Sequence, residues 1–184
     1  NMSEKQNYLD EHNITNSLIH ELSQYLRNHF YKKFNRIFEN ALDDFDRYGG
    51  RGVLELFQRS LENIGRLKKD KKIKEYKLFI KNSKIDKKYL KKLIESVHKA
   101  YINEYAFVLG MKIVPDVKYN IPNNITFFCK CYENIARELW RRAYLFSRNV
   151  SSIVRQKNIN CILKNIDRCI LNTVRETIPL KEIE

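Results

Sequence analysis

Four cysteines, Cys129, Cys131, Cys161 and Cys169, and four histidines, His12, His20, His29 and His98, have the widest chemical repertoire in this sequence. Zinc sites need C-x2-C or paired Cys and His spacings, and no histidine follows His98. The cysteines therefore read as small buried thiols of apolar-patterned segments. The histidines show neither H-E-x-x-H spacing nor a G-x-S-x-G elbow and read as surface or half-buried side chains. Asp43, Asp44 and Asp46 cluster, but without the spaced oxygens and closing Glu of a calcium loop they read as a polar helix end. Beside them, Gly49-Gly50-Arg51-Gly52 lacks both glycine fingerprints of phosphate loops and reads as a helix-to-helix turn needing positive φ. No carboxylate is marked by its neighbours as an acid or base. No enzyme activity, metal or cofactor is expected.

Binding chemistry is better represented. Residues 66–92 hold 13 Lys and Arg against 3 Asp and Glu, whereas residues 1–65 hold 8 against 10. Most of the net charge of +13 is thus local. Lys68, Lys69, Lys71, Lys72, Lys74, Lys77, Lys87, Lys88, Lys91 and Lys92 carry this block and can meet phosphates, anionic lipid, an acidic protein surface or only solvent. Arg66 is its single guanidinium, and base reading favours bidentate Arg, Asn or Gln, so non-specific electrostatics is the stronger version. The second constellation is Trp140 with Arg137, Arg141, Arg142 and Arg148, able to pair with phosphate or carboxylate while the indole packs or stacks.

These groups must be positioned by helices. Only 5 Gly and 3 Pro interrupt 184 residues, too few for the turn every 8–12 residues or so of an all-β domain. Apolar residues recur at three- and four-residue spacing from Ile14 to about Asp46, with Asn13 or Thr15 as cap and a break expected near His29. Further helices are expected over Val53 to Leu67, over Lys71 to Ile80 with Ile73, Tyr76 and Ile80 inward, and from a Ser83 or Asp86 cap to about Leu109 through Tyr89, Leu90, Leu93, Ile94, Val97 and Val108. The segment 110–124, with Pro115, Pro122 and the extended run Lys112-Ile113-Val114, reads as a linker. Helices resume over Asn124 to Phe146 and about Asn149 to Thr177, the last with Ile153, Leu163, Ile166, Ile170 and Val174 inward. The expectation is an irregular all-α bundle of five to seven helices in a single domain, with halves at about 14–109 and 125–179. No transmembrane segment or secretory signal is expected. Free thiols fit the cytoplasm or a virus assembled there.

Three stretches carry a resemblance: Val53-Leu54 with Phe57-Gln58-x-x-Leu61; Tyr89-Leu90-x-x-Leu93-Ile94; and Tyr132-x-x-x-Ala136-Arg137-Glu138-Leu139-Trp140 followed by Tyr144-Leu145-Phe146. With Gln156-Lys157-Asn158 and Val174-Arg175-x-x-Ile178-Pro179, they make most of the chain similar to an uncharacterised protein family conserved in nucleocytoplasmic large DNA viruses. Gly65-Arg66-Leu67 and Arg142-Ala143 depart from its pattern, which has an aromatic and a proline there. The resemblance implies no reaction; it implies a virion component, a minor or internal capsid protein whose partners are other virion proteins. The alternative is a packaging protein that holds nucleic acid through the lysine block and the arginines from Arg137 to Arg148.

Overall fold

A computed structural model describes residues 2–111 and 119–179, and within them the chain is helical without a strand. The six α-helices are α1 (Met2–Tyr48), α2 (Val53–Gly65), α3 (Lys69–Ser83), α4 (Lys87–Val108), α5 (Asn124–Arg141) and α6 (Ser152–Glu176), with a 3-10 turn at Ala143–Phe146. Two of them organise the rest. α1, about 70 Å long at 1.5 Å per residue, carries α2, α4 and α6 along its length, while α5 packs against α2, α3 and α6.

The reason lies in one aromatic column. Leu22, Leu26, Phe30, Phe34, Phe38 and Ala41 recur every three or four residues on α1, so they share a single face, and all are buried. Phe30 stacks on Phe128 of α5 at 5.1 Å, and Phe128 stacks on Phe79 of α3 at 5.2 Å. One level along, Phe38 meets Phe57 of α2 edge-on at 5.2 Å, and Phe57 meets Phe146 of the 3-10 turn at 4.7 Å. Rings from both sides of the expected linker thus enter one core. Each contributes its large buried area and about 0.5–1.5 kcal/mol more from ring geometry.

The ends obey local rules. Gly49 takes φ 69° and its N–H donates to the Phe45 carbonyl at 2.8 Å, closing α1, and Gly50 and Gly52 also have positive φ. Asp86 caps α4 by accepting from the Tyr89 N–H at 2.9 Å, and Asn123 caps α5 through the Thr126 N–H at 2.9 Å. Gly110 ends α4 with φ 66° in a Schellman motif, its own N–H reaching Phe107 and that of Met111 reaching Ala106. Pro115 and the run Lys112-Ile113-Val114 lie outside the described residues.

Several expectations are corrected. α1 starts at Met2, not near Ile14, because its first turns have a tertiary partner: Tyr8 stacks on Phe107 at 5.1 Å, and His12 Nδ1 lies 3.3 Å from the Glu104 carboxylate. Thr15 is consequently a buried mid-helix residue whose hydroxyl donates to the Glu11 carbonyl at 3.0 Å, not a cap. There is no break at His29, whose ring packs edge-on against Phe79 at 5.3 Å. On α3 it is Phe79 that is fully buried, beside Tyr76. Tyr89 lies outside and donates its hydroxyl to Glu21 of α1, and Val108 and Ile153 are exposed.

Candidate functional site

α2 and α5 lie side by side, each with a buried apolar face, Phe57, Leu61 and Ile64 on α2 and Ile135, Ala136 and Leu139 among those on α5. Between the last turns of α2 and the second half of α5 lies a groove of about 350 Å³. Leu61, Gly65 and Ala136 form its apolar lining, and Glu62, Glu133, Arg137, Trp140 and Arg141 stand around it. Trp140 keeps 40% of its surface exposed. Its indole N–H donates to Glu62 Oε1 at 2.9 Å, and its carbonyl accepts from the Gln58 amide at 3.0 Å. The ring is therefore held from α2 at both ends of the residue.

The charges around this groove are unevenly paired. Glu138 alone serves three guanidiniums, Arg142 at 2.7 Å, Arg168 at 2.8 Å and Arg141 at 3.7 Å. The hydrogen bond from Arg142 is the main reason that its carboxyl is held below the usual carboxylate range, with the Coulombic pull of the three arginines adding to it against burial. Glu133 is neutralised by Lys72 of α3. Arg137 is exposed and makes no ion pair among the described residues. Within the lining Arg137 and Arg141 match Glu62 and Glu133 in number, but Lys72 takes up Glu133 while Arg137 has no ion pair among the described residues, so cationic groups stand open beside the apolar floor.

The expected site residues are dispersed. Of the four arginines around Trp140, only Arg137 and Arg141 line the groove. Arg142 is engaged by Glu138, and Arg148 reaches back to α1, bonding Asn35 at 3.1 Å with its guanidinium 5.5 Å from the Phe38 ring. Lys68, Lys69, Lys71, Lys74, Lys77, Lys87, Lys88, Lys91 and Lys92 are all exposed, and Lys72 is half-buried against Glu133. Helical spacing puts Lys74 and Lys77 opposite Tyr76 and Phe79 on α3, and Lys88 and Lys92 away from Leu90 and Val97 on α4. Lys91 lies 3.8 Å from Glu95. The block is thus shared between two separate helices instead of forming one stripe.

Two features escaped the sequence. Glu62 and Gly65 belong to the groove only because α2 pairs with α5, which no local pattern announces. A second, more polar groove of about 630 Å³ runs between α1 and α3, lined among others by Tyr25, His29, Lys32, Arg36 and Asn82. The i, i+4 spacing of Lys32 and Arg36 on α1 was its only available signal.

The remaining reactive groups are tied into structure. Cys131 is fully buried and its thiol pushed far up by burial; burial likewise pushes Cys169 up to about 11. Thiolates are the reactive form, so these are inert packing groups. Burial lowers His29 to about 4, opposed by Glu75 and assisted by Lys33 and Lys32. No group of three or more His, Cys, Asp or Glu able to hold a metal occurs among the described residues. Among the described residues no helix is long and apolar enough to cross a membrane.

Helices and groove together define a helical-bundle protein with an arginine-flanked apolar cleft between α2 and α5. By sequence the chain belongs to the family of unknown function DUF5764, whose model matches residues 6–147, from α1 through the 3-10 turn and so including both walls of the cleft. No curated protein and no solved structure matches it.

Proposed function

We propose that this protein is a non-enzymatic structural component that docks other proteins, and that the assembly it serves is a virion, as a minor or internal capsid protein put together in the host cytoplasm. The observation that carries the reading is the groove itself: an exposed tryptophan fixed by Glu62 and Gln58, an apolar floor and two incompletely paired guanidiniums, Arg137 and Arg141. Trp and Arg anchors in a fixed pocket are the residues on which protein interfaces concentrate their binding energy. The burial of Cys131 and Cys169 supports the same reading, since it withdraws these thiols from chemistry. The virion setting is supported by the resemblance to proteins of large DNA viruses. Quantitative proteomics of purified particles tests it: the chain should be present in fixed proportion to the shell proteins, and its absence from mature particles overturns the reading.

A second reading is favoured by the exposed lysines of α3 and α4 and by Lys32 and Arg36 in the groove between α1 and α3. They suit non-specific binding of nucleic acid during packaging. Its affinity should fall steeply with salt, because each neutralised phosphate releases counterion. An anisotropy titration without binding at low salt removes it.

A further inference from the structure

The groove between α2 and α5 discriminates among protein partners by its charge and its shape. We infer that it takes an acidic segment of a partner protein that seats one apolar side chain between Leu61, Ala136 and Trp140. This rests on the reading of the protein as one that docks other proteins.

Four observations lead there. At about 350 Å³ the groove is at the low end of ligand sites, suited to an anchoring side chain more than to a cofactor. Its floor is open at the α2 end, since a Cβ built on Gly65 would meet nothing within 4 Å. The unpaired Arg137 and the partly served Arg141, which shares Glu138 with two closer arginines, stand at its edge to receive carboxylates. Glu62 and Glu133 stand on the same cleft, Glu62 taken up by the Trp140 indole N–H and Glu133 by Lys72. A continuous phosphodiester backbone would run past both carboxylates. A peptide spaces its acidic side chains and can offer them backbone N–H groups. The arrangement therefore favours an acidic protein segment over nucleic acid.

The test uses the whole chain. A display library of random 12-residue peptides, enriched on the wild type, should converge on sequences with several Asp or Glu around one aromatic or large aliphatic residue. Trp140 is the only tryptophan in the chain, so the emission of the protein reports directly on the groove when a Trp-free selected peptide binds. Gly65→Gln fills the open floor on a helix-compatible residue, and Arg137→Glu reverses a charge that has no ion pair among the described residues. Each should weaken binding by about tenfold or more, the equivalent of one lost anchor. Enrichment of neutral or basic peptides, or of none, overturns the inference. So does a 20-nucleotide single strand that shifts Trp140 emission and is blocked by Gly65→Gln while acidic peptides do nothing. Acidic peptides that bind both variants as tightly as the wild type remove this groove as the site yet leave protein docking standing. Particle proteomics, by contrast, tests the functional reading without touching the groove.

Discussion

His98 of α4 and Thr177 at the end of α6 meet at 2.8 Å, imidazole Nε2 against hydroxyl, at a histidine with no exposed surface. The other ring nitrogen lies 2.8 Å from the Ile94 carbonyl, which can only accept. Burial lowers the affinity of His98 for a second proton, against the pull of that carbonyl. The Ile94 carbonyl fixes a proton on Nδ1, and Nε2 meets a hydroxyl that also donates to the Thr173 carbonyl at 2.7 Å and lies 3.1 Å from that of Val174. One hydrogen bond thereby joins the C-terminal end of α6 to α4.

The first prediction follows from that shared hydroxyl. Thr177→Val keeps the shape but strips the buried Nε2 and the Thr173 carbonyl of their common partner, which should cost about 1–3 kcal/mol. Thr177→Ser retains the donor and should cost less than about 1 kcal/mol. Urea unfolding of both variants measures the difference, and equal midpoints would show that the contact contributes nothing.

His29 makes acid sensitivity the second. Its pKa is about 4 in the fold against 6.5 when unfolded, so below pH 6.5 the unfolded chain takes up a proton that the folded chain refuses. Stability is undiminished above pH 6.5 and falls between there and pH 4, by at most about 3 kcal/mol from this residue. The ring sits among Phe30, Phe79 and Phe128, so His29→Phe fits its surroundings. That variant should lose much of the slope, with His98 supplying part of what remains. A slope identical to the wild type would refute the assignment.

The third separates residues that sequence periodicity ranks wrongly. Phe79→Ala removes a fully buried ring stacked on Phe128 and should cost about 3–5 kcal/mol. Ile153→Ala, at a side chain 69% exposed, should change stability by less than about 0.5 kcal/mol. Thermal or denaturant melts of the pair decide it.

That contrast also marks how far the sequence could be read. Phe30, Phe34 and Phe38 announce their shared face by spacing alone, and Asp86 and the glycines after α1 announce helix ends through their own chemistry. Tyr8, Phe79 and His98 owe their burial to helices distant in sequence, and amphipathic spacing names a face only approximately when a helix, like α3, has cations on most sides. The candidate site divides the same way. Trp140, Arg137 and Arg141 stood out by type and proximity. Glu62 and Gly65 joined the groove only through the packing of α2 on α5, and the packing of α3 on α5 turned Lys72 inward to Glu133.

The last prediction concerns Glu138, whose side chain is 17% exposed and which is shared by Arg141, Arg142 and Arg168. Glu138→Gln leaves three guanidiniums facing one another across α5 and α6 without their common counter-charge, and should cost about 1–3 kcal/mol. Both the lost attraction and the new repulsion are screened, so the gap from wild type should narrow when salt is raised from about 0.05 M to about 0.5 M, as the Debye length shrinks several-fold. Acid distinguishes this residue from His29. A carboxyl held below its ordinary value of 4.5 by Arg142 stabilises the fold above that pH and gives up its contribution only as pH falls through the lowered value. Glu138→Gln should therefore leave the loss between pH 6.5 and 4.5 intact and reduce the loss below it. A variant whose stability gap ignored salt and whose acid limb matched the wild type would mean that the three arginines are held apart by solvent and not by Glu138.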